Sequence, residues 1–86
     1  SRLVRKLADG NYLVDGTASL RSLKRQMGWT LPTAEAHTLS GLLIEVLEVI
    51  PVGQASVRIG NHAMTVVDIR DNTIRKVLIK PDRFPA

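Results

Sequence analysis

An α+β fold, with an antiparallel sheet of about five strands and two helices on one face, is predicted by three features of the sequence. Apolar residues recur at helical spacing between Leu39 and Ile50, the period changes to two from Ala55 onward, and the remaining junctions are short and rich in Gly, Asp or Asn. Strands joined by such junctions must run antiparallel, because a parallel return needs a crossover of a dozen or more residues. The element order read from the chain is β-β-α-α-β-β-β.

Residues 3–8 and 11–15 read as a hairpin around Asp9-Gly10, a dipeptide favoured in tight primed turns, and Asp15-Gly16 ends the ribbon. Ser19 is placed to cap a short helix with Leu20, Leu23 and Met27 on its inner side and Gly28 as its left-handed stop. Residues 29–36 form a connector containing Pro32. Thr38 can cap the second helix, in which Leu39, Leu42, Leu43, Val46, Leu47 and Ile50 make an apolar seam, with Ser40, Glu45 and Glu48 on the other side. Pro51 stops it, because its ring cannot continue the hydrogen-bond ladder.

Ala55, Val57 and Ile59 then alternate with Ser56 and Arg58 as a strand, and Gly60-Asn61 turns the chain into residues 62–70. A break in alternation there predicts a bulge near Val67 and Asp68. Asp71-Asn72 leads into a last strand, 73–80, and residues 81–86 read as a frayed tail. Eighty-six residues suit one core, so 1–86 is taken as a single domain.

Composition narrows the function. With no cysteine there is neither a disulfide framework nor a thiolate metal site. The longest apolar run falls far short of the ~20 residues that span a bilayer, so the domain itself is expected to be soluble. Twelve basic against eight acidic residues give a net charge of +4, but aromatics are only 3%, too few for a base-stacking platform, so no nucleic-acid partner is expected.

Asp9, Asp15, Asp68, Asp71 and Asp82 are candidate hard ligands for a divalent cation, but most fall in turns, where Asp serves local backbone groups. His37 and His62 lack any spacing that joins them in a metal site, the serines lack a nucleophile elbow, and no carboxylate pair shares a helical face with an acid or base. No catalytic or metal site is predicted, and the chain is read as a non-enzyme with no evident cofactor. Six dispersed glycines make no phosphate loop. Gly41, early in the second helix, is explained by close approach of sheet backbone or by a ligand phosphate, with packing favoured. Arg21, Lys24 and Arg25 form a basic face on the first helix, a candidate interaction surface for anionic lipid or an acidic neighbouring domain.

Three stretches, "DGNYLVDG" (9–16), "TLSGLLIEVLEVIP" (38–51) and "VGQASVRIG" (52–60), together with the short helix between the first two, resemble the CorC/HlyC-type transporter-associated domain over nearly the whole chain. In that family the domain follows a pair of CBS nucleotide-sensing domains and a membrane region, in haemolysin-like proteins associated with magnesium and cobalt efflux. The resemblance implies a non-enzymatic C-terminal regulatory or interaction domain at the cytoplasmic face of a bacterial inner membrane. Its partners would be the CBS pair of the same protein, with membrane contact only through that parent and homodimer contacts left open. The fold is also similar to part of a flavin-binding superfamily, so the alternative is a module for flavin adenine dinucleotide (FAD) or a nucleotide. The chain differs from the family's habit at Gln54, where Glu is common.

Overall fold

The computed structural model describes residues 2–32 and 35–81. In chain order the elements are β1 (Val4–Lys6), β2 (Tyr12–Asp15), α1 (Leu20–Met27), α2 (Leu39–Leu47), β3 (Ala55–Ile59), β4 (His62–Arg70) and β5 (Thr73–Pro81). The five strands form one antiparallel sheet in the order β1-β2-β5-β4-β3, so the last strand in sequence lies at its centre. The expected fold class and element order are those observed. Val14, Met64, Val66, Ile74, Val77 and Ile79 of the sheet share one core with Leu20, Leu23, Leu39, Leu42 and Leu43 of the two helices.

Local chemistry places the helices. Ser19 Oγ accepts the Ser22 N–H at 3.0 Å and Thr38 Oγ1 accepts the Gly41 N–H at 3.1 Å, satisfying donors that the first turns cannot bond internally. The two caps lie side by side. Leu20 N–H donates to His37 O and Leu39 N–H to Ala18 O, so both helices start from one backbone junction. Gly28, at φ 72°, closes α1 as expected.

The second helix ends earlier than its apolar period suggests. Glu48 takes a left-handed conformation at φ 64° and its N–H donates to Ile44 O at 2.7 Å, so α2 stops three residues before Pro51. Only the first half of the seam is core. Leu39, Leu42 and Leu43 are buried, whereas Val46 and Ile50 are exposed. Ser40 was expected on the outer side, yet it is buried, and its Oγ accepts the Ile74 N–H of β5 at 3.1 Å. That hydroxyl satisfies a backbone donor at the irregular part of the central strand, where a methyl group would strand it.

Two turns differ from one another in an instructive way. Asp71 and Asn72 both have positive φ, 54° and 60°, as a two-residue primed turn between β4 and β5 demands. The first hairpin is looser: Gly10 N–H donates to Leu7 O and Leu7 N–H to Asn11 O, and only Gly10 is left-handed, at φ 87°. Its strands are accordingly shorter than 3–8 and 11–15. The expected bulge is present, since Val66 pairs with Val77 but Asp68 with Lys76, which leaves Val67 out of the ladder. A second irregularity, between Asp68 and Ile69, passes over Arg75 on β5. Pro81, assigned to a frayed tail by sequence, instead pairs with His62 as the last residue of β5, while 82–86 lie outside the described residues.

Gly16 explains how α2 is held over the sheet. Its N–H donates to Arg75 O and its carbonyl accepts the Ser40 N–H, both at 2.8 Å. A Cβ added at Gly16 would lie 1.8 Å from Ile74 O, so backbone meets backbone here. Sequence reasoning had assigned that close approach to Gly41, whose nearest neighbours are instead Thr38 Oγ1 at 3.3 Å and Ala36 Cβ at 3.5 Å.

Candidate docking surface

The fold divides the three basic residues of α1 that the sequence singles out as a candidate interaction face. Arg21, Lys24 and Arg25 are all exposed. Arg21 and Lys24 border a cavity of about 590 Å³ with Ser19, Leu20, Leu31, Ala36 and His37, because the connector between the helices folds back beside α1. Arg25 is not among its lining residues. The cavity thus combines apolar lining with two cations, and among the described residues no acidic side chain lines it. On β5, Lys76 is drawn off to Asp15 at 3.5 Å, whereas Lys80 is exposed.

A second surface has no counterpart in the sequence reading. Because α2 stops at Glu48, the rest of its seam emerges as an apolar end: Val46 is 43% exposed, Val49 62%, Ile50 40% and Val52 106%. Val67, displaced by the bulge and 42% exposed, borders the same region. Val52 and Val67 both line a groove of about 200 Å³, with Gly53, Gln54, Val66, Asp68 and Ile69. Sequence periodicity concealed this surface, since the residues that form it obey the rule for a buried helical face.

The turn carboxylates behave as local anchors. Asp15 Oδ1 accepts from Thr17 N–H at 2.8 Å and Thr17 Oγ1 at 2.6 Å, and these bonds hold its carboxyl below the usual carboxylate range. Asp9 Oδ1 likewise accepts the Asn11 N–H. Among the described residues, no group of three or more His, Asp or Glu side chains converges as a cation site. His37 borders the α1 cavity, whereas His62 lies in the core.

His62 and Trp29 are the interior residues that the sequence understated. Trp29, read as part of a connector, is buried; its ring lies 5.3 Å from both Tyr12, edge-on at 77°, and His62. Burial lowers the His62 pKa from 6.5, opposed by a hydrogen bond with the Ile59 backbone. Its Nδ1 has no partner among the described residues. Between the lowered value and 6.5, the unfolded chain holds a proton that the native chain lacks, so stability rises with pH across that window and falls on acidification below 6.5. Unfolding free energies from urea titrations between pH 7 and pH 5 should fall with a slope of at most about 1.4 kcal/mol per pH unit from this group. In His62→Gln that part of the slope should vanish, and an unchanged pH dependence would refute the assignment.

Among the described residues, no helix is long and apolar enough to cross a membrane. Residues 5–83 match the family described as CorC_HlyC, transporter associated domain. An Escherichia coli protein described as inner membrane protein YfjD is 40% identical over 73 residues, a match covering 85% of this chain but only 17% of that protein. A Haemophilus influenzae protein of unknown function superimposes with a TM-score of 0.85 at 32% identity, covering 91% of this chain and 96% of that one. The transporter-associated domain of a Xylella fastidiosa haemolysin, solved in complex with Mg²⁺ and Mn²⁺, superimposes with a TM-score of 0.81 at 26% identity, covering 92% and 96% of the two chains. With the family match running over residues 5–83 and the fold shared at a TM-score of 0.85 over nearly all of both chains, the chain belongs to the CorC_HlyC transporter-associated domain family.

Proposed function

We propose that this chain is a non-enzymatic docking and regulatory domain of an inner-membrane protein that handles divalent cations, of the magnesium and cobalt efflux type, and that it acts at the cytoplasmic face. The observation that carries the reading is the apolar end at Val46, Val49, Ile50, Val52 and Val67, on a domain whose core is otherwise closed. A contiguous apolar surface rimmed by polar residues is the mark of a protein contact. The inner-membrane description of the Escherichia coli relative and the Mg²⁺ and Mn²⁺ of the Xylella fastidiosa neighbour support the setting. Within the parent, the CBS pair implied by the family resemblance is the natural partner. Excising this domain from the parent should leave cation efflux running but shift the cation concentration at which it starts. Unaltered efflux after excision would reject the reading.

A second reading is favoured by the cavity beside α1. Arg21, Lys24 and His37 around an apolar floor suit the phosphate of a nucleotide or of FAD. Thermal shift with FAD, adenine nucleotides and inorganic phosphate separates the two readings, since a ligand selective for the native state raises its Tm. A rise that Arg21→Ala with Lys24→Ala abolishes would establish ligand binding. An unchanged Tm across the panel leaves docking alone.

A further inference from the structure

We infer that the apolar end is the seat of an apolar, basic-rimmed face elsewhere on the same polypeptide. The inference rests on the docking reading and names its surface and the chemistry of its occupant. Singly exposed apolar side chains are common, but here four follow one another from the C-terminal turn of α2 through the loop after it, and Val67 of the β4 bulge lines the same groove as Val52. Val52 is as exposed as a side chain can be, at 106%. The groove between Val52 and Val67 gives a contacting side chain somewhere to enter.

Charge selects among occupants. Glu45, in the last turn of α2, and Glu48, at its C-cap, are both exposed beside Val46 and Val49, and neither has an ion-pair partner among the described residues. Asp68, at the groove, is already engaged by Arg70 at 3.9 Å. A symmetric pair of copies meeting through this end would gather the Glu45 and Glu48 carboxylates of both copies into one contact, which disfavours self-association. A partner with an apolar centre and Lys or Arg at its edge meets Glu45 and Glu48 with attraction.

Size selects again. The five side chains offer on the order of 400 Å² of apolar surface, about half of the ~800 Å² that each side contributes to a stable complex of free partners. A tethered partner is present at an effective concentration of about millimolar, so a smaller contact suffices. The relatives supply the tether, since the matched region is only 17% of the Escherichia coli protein.

The test uses Val52→Cys, at a fully exposed position in a segment without native cysteine. Maleimide uptake at that thiol is read by peptide mass spectrometry in the isolated 86-residue chain and in the intact parent. Uptake should be at least tenfold slower in the parent, and Glu45→Lys with Glu48→Lys should recover at least threefold of that loss. Equal uptake in chain and parent overturns the inference. If hydrogen exchange then shows another face protected in the parent, docking stands and this surface falls; if no face is protected, both fall. Concentration-dependent dimerisation of the isolated chain that Val52→Glu abolishes would assign the end to a second copy and also overturn it.

Discussion

Gly16→Ala is expected to destabilise the domain by about 3 kcal/mol or more, at the upper limit of overpacking effects. The added methyl would be placed 1.8 Å from Ile74 O, and the obstacle is main chain of the central strand, which cannot rotate away. Relief requires β2 and β5 to separate, and that separation strains the Gly16 N–H bond to Arg75 O and the Ser40 N–H bond to Gly16 O. A domain of this size has about 5 to 10 kcal/mol in total, so the variant should lose much of its folded population in mild urea. Gly53→Ala is the control, because nothing lies within 4 Å of its added Cβ. A Gly16→Ala unfolding free energy within ~1 kcal/mol of that of the unaltered chain would show that the approach is looser than described.

The second large effect separates the two halves of the leucine seam. Leu43 is fully buried between α2 and the sheet, and Leu43→Ala should cost about 2 to 5 kcal/mol through lost burial and the cavity left behind. Ile50→Ala, at a position with the same apparent helical phase but 40% exposed, should fall within about 0.5 kcal/mol of the unaltered chain. Chemical denaturation of both variants reads the contrast directly. Comparable losses at the two positions would mean that the helix continues inward to Ile50.

Much of the fold was legible because the local signals agreed with one another. Ser19 and Thr38 cap the helices they precede, Gly28 ends α1, and Asp71-Asn72 makes the tight turn between β4 and β5. The bulge showed in the sequence because Val66 and Ile69 cannot both keep the inner face of an unbroken ladder. What stayed hidden was decided by tertiary contact. Nothing local marks Glu48 as a left-handed residue, an uncommon conformation for a side chain of its kind, so the period of α2 read straight on to Pro51. Ser40 looked like a surface hydroxyl, because the donor it serves lies 34 residues away. Gly16 looked like an ordinary turn glycine for the same reason.

The surfaces follow that division. Arg21 and Lys24 could be found by spacing along one short helix, but their shared cavity with His37 depends on how the connector returns. The apolar end could not be found at all, since it consists of residues whose pattern promises burial. An apolar seam running to the very edge of a helix-stopping proline was the one available warning.

Hydrogen exchange compared between the isolated chain and the intact parent protein tests the docking claim most directly. Slower exchange in the parent at residues 46–54 and around Val67, with the Arg21, Lys24 and His37 cavity unchanged, is the expected result. Protection concentrated at that cavity, with the apolar end exchanging equally fast in both, would contradict it.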